Sequence, residues 1–158
     1  MQGRLRLLLS DGGAGDDILL GGTGNDLILG GNGRDLMIGG TGADRIEGHA
    51  DEDILIAGTT AYDANPTALN AILNEWASSG SNASRMLHIQ TGTGLTLGFR
   101  LVGDDGANQT VFNDNDADVL TGGNGIDWFF ANSKADNGGV LDTVTDCKAN
   151  ELWSDTDF

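Results

Sequence analysis

The sequence predicts a mainly β protein assembled by repetition, with short strands stacked in order and one helix-bearing interruption. From Gly12 to Ile56 the chain reads GGAGDDILL, GGTGNDLIL, GGNGRDLMI, GGTGADRIE and GHADEDILI, five nine-residue units without a spacer, and a sixth opens at Ala57-Gly58. Each unit closes on three mostly apolar residues behind an Asp, which suits a short strand rather than a helix. The 26 glycines are periodic instead of scattered, so they mark a repeat architecture and not a linker.

Each position in the unit has a physical task. Glycines at the first, second and fourth positions (among them Gly13 and Gly15, Gly22 and Gly24, Gly31 and Gly33, Gly40 and Gly42 at the second and fourth) permit left-handed or otherwise strained backbone, and so a tight reversal that turns carbonyl oxygens inward. Asp17, Asp26, Asp35, Asp44 and Asp53 recur at the sixth position. Calcium takes about 6 to 8 hard oxygen ligands and mixes carboxylates with carbonyls. One turn does not supply that many, so two stacked turns are expected to share each ion. In the strand segments side chains alternate faces, and the eighth-position residues Leu19, Ile28, Met37, Ile46 and Leu55 are the predicted inner core.

These units resemble the calcium-binding nonapeptide repeat G-G-x-G-x-D-x-U-x of the RTX (hemolysin-type) family. The resemblance implies a right-handed parallel β-roll in which two units make one coil. Odd and even units then lie on opposite sides, with Asp17 over Asp35 over Asp53 on one and Asp26 over Asp44 on the other, and calcium between neighbours. Glycine–Asp turns also cap strands without metal. Unscreened carboxylate columns repel across adjacent strands, however, so several Ca2+ ions are expected.

The rhythm returns late in the chain. Asn113–Thr121 is a degenerate unit carrying Asp118, and Gly122–Phe130 matches in full through Gly123, Gly125 and Asp127, with Leu120 and Phe129 facing inward. Asp136 keeps the spacing without a glycine scaffold and reads as an exposed turn residue. Unit five departs from the motif at His49, Asp51 and Glu52, which is expected to weaken or alter its site. The organisation is thus a first roll block over 1–58, an inserted α+β subdomain over 59–112, and a second roll block with a C-terminal cap over 113–158.

Within the insert, Asn65 is the expected N-cap and Pro66 the first residue of a helix reaching Ala77, with Leu69, Ile72, Leu73 and Trp76 forming one stripe. Ser78–Asn82 is expected to end it. Arg85–Ile89 and Leu95–Val102 read as strands, with His88 in the first. Gly103-Asp104-Asp105-Gly106 reads as a solvated turn. Met1–Ser10 reads as a capping strand or the cut edge of a longer chain. The acidic tail from Asp142 is compatible with the C-terminal export segment that the resemblance implies.

The seventh and ninth positions should be polar in an isolated roll, yet the odd units carry Ile18, Leu20, Leu36, Ile38, Ile54 and Ile56 there. An apolar face of that size is expected to be covered. Either the insert helix lies over it, or a second copy docks there; open roll ends are a further place for self-association.

A net charge of −16 argues against nucleic acid or anionic lipid as partner and favours cations. No apolar run reaches the length of a membrane span. The lone Cys147 excludes an internal disulfide and reads as a buried small hydrophobe. His49 and His88 are too few for a zinc or general-base site, and the common protease, esterase and P-loop motifs are absent. The sequence therefore predicts no enzyme. The expected function is a secreted or cell-surface calcium-binding roll that folds on meeting calcium and serves as a structural or adhesive module open to self-assembly. The alternative is the C-terminal secretion and folding module of a larger exported enzyme or toxin.

Overall fold

Successive apolar triplets pair not with their sequence neighbours but with the triplets two units away. In the computed structural model, which describes residues 9–103, 106–132, 139–149 and 151–155, this builds two parallel sheets facing each other. The first contains β1 (Leu9–Ala14), β3 (Leu27–Asn32), β5 (Arg45–Ala50), β9 (Val119–Gly123) and β11 (Thr143–Val144), in that spatial order. The second runs β2 (Ile18–Thr23), β4 (Leu36–Thr41), β6 (Ile54–Ile56), β10 (Trp128–Ala131) and β12 (Leu152–Asp155). Leu19 pairs with Met37 and Met37 with Leu55, while Ile28 pairs with Ile46 and Ile46 with Leu120. The protein is therefore a parallel β-roll with two units per coil.

The space between the sheets holds Leu19, Ile28, Met37, Ile46, Leu55, Leu120 and Phe129 in one apolar cluster, the eighth-position column. All but Leu19 are fully buried. An inward residue at this position excludes water from both sheets at once, so truncation costs about 2–5 kcal/mol.

The interruption sits inside a single turn. β6 and β9 belong to consecutive half-coils, and Asp118 stands 74 residues beyond the Asp44 it stacks on, where the intact coils keep 18. Its ends are tied by a two-strand antiparallel pair, β7 (Thr59–Thr60) with β8 (Val111–Phe112). With the ends held together, the roll resumes in register, β9 on β5 and β10 on β6.

Helix α1 (Pro66–Trp76) begins where the sequence places it: the Asn65 side chain accepts from Ala68 N–H at 3.2 Å and Pro66 opens the first turn. Its stripe of Leu69, Ile72, Leu73 and Trp76 packs on Leu36, Ile38, Ile54, Ile56, Trp128 and Phe130, with Ile18 and Leu20 at the margin. The apolar outer face is thereby buried beneath the chain's own helix and is not a surface for a second copy.

Three local expectations are corrected. Arg85–Ile89 belongs to a second helix, α2 (Asn82–Thr91), capped by the Ser81 hydroxyl and closed by Gly92 at φ 74°. His88 is consequently helical. The Ser78–Asn82 run ends α1 and also starts α2, and Arg85 and Ile89 fall on one buried side while Leu87 stays exposed. Leu95–Val102 forms turns rather than a strand. Leu97 has φ 55°, Leu95 and Leu97 are exposed, and Thr96 and Leu101 are the buried residues of the stretch, so its apolar alternation does not mark a strand. Cys147 is exposed, not buried. Asp104, Asp105, Asp136 and Met1–Leu8 lie outside the described residues.

Candidate metal centre

The turns stack along the two edges of the roll. Gly12–Asp17, Gly30–Asp35, Gly48–Asp53 and Gly122–Asp127 line one edge; Gly21–Asp26, Gly39–Asp44 and the return from the insert ending at Asp118 line the other. Close stacking demands glycine. A Cβ on Gly31, at φ 111°, would overlap Gly13 O and lie 2.9 Å from its carbonyl carbon. Unit five carries His49 at φ 81° and Asp51 at φ 72° in the equivalent places. The Asp51 carboxylate partly offsets that strain by accepting Gly33 N–H at 3.1 Å.

Asp35, Asp44, Asp53, Asp118, Asp127 and Asp142 each have an oxygen engaged by the coil before. Asp17 N–H donates to Asp35 Oδ1 (2.8 Å), Asp35 N–H to Asp53 Oδ1 (2.8 Å) and Asp53 N–H to Asp127 Oδ1 (2.9 Å). On the other edge Asp26 N–H donates to Asp44 Oδ1 (2.7 Å), Asp44 N–H to Asp118 Oδ1 (2.6 Å) and Asp118 N–H to Asp142 Oδ1 (3.0 Å). The second oxygens differ. Oδ2 of Asp17, Asp35, Asp44, Asp53, Asp118 and Asp127 is buried with no hydrogen-bond donor. Leaving a buried carboxylate oxygen unsatisfied is costly.

Electrostatics record that cost. Burial, reinforced by neighbouring carboxylates, raises Asp35 and Asp44 from 3.8 to about 6, Asp127 to about 7, and Asp53 and Asp118 to about 9, against the opposing backbone hydrogen bonds. These groups resist ionisation unless a positive charge comes to them.

What faces the orphan oxygens is carbonyl. A Cβ on Gly30 would come 2.5 Å from Asp35 Oδ2 and 2.8 Å from Gly48 O, and one on Gly12 would come 2.9 Å from Asp17 Oδ2 and 2.6 Å from Gly30 O. A small volume beside Gly12, Gly21, Gly30, Gly39 and Gly48 is thus flanked by a carboxylate oxygen and a carbonyl of the next coil, whereas beside Gly122 the nearest groups are Asp127 and the Phe129 ring. Among the described residues no three His, Cys, Asp or Glu side chains form a ready metal cluster. An ion on these edges would take its ligands from carboxylates and main-chain carbonyls together. Hard oxygens of both kinds, with orphaned anionic members, fit calcium.

The predicted glycines divide into two roles. Gly13, Gly22, Gly31, Gly40 and Gly123 end strands and pair across coils, as Gly13 with Gly31 and Gly22 with Gly40. Gly15, Gly24, Gly33, Gly42 and Gly125 stand in the turns, where Gly15 N–H donates to Asn32 O and Gly24 N–H to Thr41 O, both at 2.8 Å. The first-position carbonyls beside Oδ2 are absent from the sequence-based set. So are two ladder members: Asp142 follows Asp118, and Glu151 follows Asp127 because Leu152 pairs with Trp128. The stretch Asp142-Thr143-Val144-Thr145 repeats the Asp-x-apolar-x pattern of Asp118–Thr121, the one signal that points to it.

The RTX calcium-binding nonapeptide repeat (4 copies) matches this chain over residues 11–46, 29–59 and 112–136. A roll of these repeats is a calcium-binding structural element. Over those residues the chain carries RTX calcium-binding nonapeptide repeats. No curated protein and no solved structure matches it. Among the described residues no helix is long and apolar enough to cross a membrane, which leaves β-barrels unaddressed.

Proposed function

We propose that the chain is a non-enzymatic module of extracellular or cell-surface proteins whose roll is completed by several calcium ions. The ions lie between successive turns, held by Asp17 with Asp35, Asp35 with Asp53 and Asp53 with Asp127 on one edge. On the other edge the pairs are Asp26 with Asp44 and Asp44 with Asp118. Carbonyls of the glycine turns complete each set. When bound, calcium supplies positive charge to carboxylates that the fold buries. The residues do the rest: Oδ1 fixes each side chain on the preceding backbone amide, and Oδ2 is left for the ion.

The row of buried, donor-less Oδ2 atoms carries this reading. With sites of extracellular affinity, around 10⁻⁴–10⁻³ M, calcium-poor conditions leave the carboxylates repelling and the roll loose. Millimolar calcium then converts binding free energy into folding free energy. Circular dichroism during a calcium titration should show strand signal developing cooperatively. Equal strand content in excess chelator at pH 7.5 would defeat the proposal. Self-association, if it occurs, uses the roll ends, since α1 occupies the apolar face.

A further inference from the structure

We propose that Lys148 takes the place of a metal ion at the C-terminal end of one carboxylate ladder, so that the last gap between turns closes on an ammonium group. This rests on the calcium reading above. The register of β10 with β12 places Asp146–Ala149 and Glu151 in the next turn beyond Gly122–Asp127, with Glu151 at the ladder position. The turn contains no glycine, and its side chains meet the turn below from both polarities. Asp146 accepts from Gly122 N–H (2.9 Å) through Oδ1 and from Gly123 N–H (2.7 Å) through Oδ2. Lys148 Nζ donates to Gly123 O and pairs with Glu151 Oε1 at 2.7 Å, while Lys148 N–H donates to Glu151 Oε2.

A turn carbonyl and a ladder carboxylate are also the two ligand types beside Gly12, Gly30 and Gly48 upstream, where the carbonyl is that of a first-position residue and here that of the second-position Gly123. Here one tethered cation bridges them. Glu151 has no exposed side-chain surface, yet both its oxygens are bonded, unlike Oδ2 of Asp17, Asp35, Asp53 and Asp127 on the same edge. The Lys148 charge also acts favourably on Asp127, opposing Glu151 and Asp146. The other ladder ends in the same self-sufficient way, because Asp142 accepts from Asp118 N–H at 3.0 Å and from Asn132 N–H at 2.7 Å. A charge-assisted pair made within the chain forms without waiting for calcium. The C-terminal coil therefore closes as a cap without taking an ion of its own.

Calorimetric calcium titration tests this on the full chain as wild type, Lys148→Gln and Arg45→Gln, the last removing the same charge from an exposed strand position. Lys148→Gln should bind one more ion per chain than wild type, and Arg45→Gln the same number as wild type. Equal, non-zero stoichiometry for wild type and Lys148→Gln overturns the Lys148 proposal alone, as does an extra ion in Arg45→Gln. A wild type that binds no calcium overturns the calcium reading and this proposal with it. Should Lys148→Gln fail to fold, hydrogen exchange on wild type decides. In chelator at pH 4.5, where the ion-free roll is retained, the Gly122 and Gly123 amides should exchange at least tenfold more slowly than those of Asp17 and Asp35, and uniform exchange overturns the proposal.

Discussion

Removing calcium should make stability depend on pH in an unusual sense, rising toward acid. Asp35 and Asp44 are raised in the fold from 3.8 to about 6, chiefly by burial. A carboxyl whose folded pKa exceeds its unfolded value contributes stability that is complete below the unfolded value and lost as pH climbs through the folded one. Each of these two therefore costs the ion-free roll about 3 kcal/mol at pH 7 relative to pH 3.8, at about 1.4 kcal/mol per pKa unit. Two such groups absorb much of the roughly 5–15 kcal/mol that holds a domain together. Asp53 and Asp118, raised to about 9, and Asp127, to about 7, act in the same direction across pH 4–9.

Thermal unfolding in excess chelator, followed by circular dichroism from pH 4 to 8, should show the melting temperature highest near pH 4 and the roll lost approaching pH 7. With saturating calcium the acid preference should disappear, since the ion favours the charged carboxylates. Net charge also shrinks in acid, so two variants separate local from global effects. Asp35→Asn keeps an oxygen for Asp17 N–H and removes the ionisation, so it should flatten the chelated profile and weaken the calcium response. Asp11→Asn, on the exposed first strand, should do neither. A chelated wild type whose stability is flat over pH 4.5–8, or greatest at pH 7, would refute the reasoning.

The remaining predictions concern packing. Gly31→Ala should lower stability in calcium by about 2–5 kcal/mol, combining a left-handed penalty with overpacking against Gly13 O, whereas Gly13→Ala at φ 87° meets open space and should cost about 1–2 kcal/mol, both by thermal unfolding. Trp76→Ala should cost about 3–5 kcal/mol in denaturant unfolding, as it empties the centre of the helix–sheet layer and leaves Glu52 O without its 2.7 Å partner. Arg85→Ala should cost about 1.5–3 kcal/mol by the same measurement, because its guanidinium bonds Trp76 O at 2.6 Å and lies 4.9 Å from the Trp76 ring centre.

Where a residue's task repeats every nine positions, the sequence reveals it: the inner column from Leu19 to Leu55, the alternate stacking of the Asp residues, and the surplus of apolar side chains on one outer face. Helix α1 was legible because cap, proline and stripe agree. Helix α2 was not, since its ten residues bury only Arg85 and Ile89, and neither Ser81 nor Gly92 stands beside a clear apolar period. The last coil was hidden for a different reason. Asp142 lies 24 residues beyond Asp118 instead of 18, so it falls outside the nine-residue rhythm that joins Asp118 to Asp127. Its edges close through Asp146, Lys148 and Asn132 rather than through glycines, so the composition changes along with the spacing. Cys147 was misjudged by reading it as an average cysteine. It stands in the last turn, between Asp146 and Lys148, and is exposed.

The insert and the roll explain each other's composition. One outer sheet face carries Arg45, Glu47 and Thr121; the other carries Leu36, Ile38, Ile54 and Ile56. Only the second lies under α1, so the difference between even and odd units is the imprint of a helix encoded in a single turn. The attachment is made through the calcium edge itself. Arg34 and Glu52, each immediately before a ladder Asp, pair at 2.6 Å. Arg34 Nη1 then donates to Ala77 O (3.3 Å) and Ser78 O (3.1 Å) past the end of α1, and Glu52 O takes the Trp76 indole. Fifth-position side chains beside Asp35 and Asp53 thus hold the helix, while the sixth-position carboxylates await the ion. The helical layer can dock in this geometry only when that edge is stacked, and stacking is what its buried carboxylates resist until their charge is met.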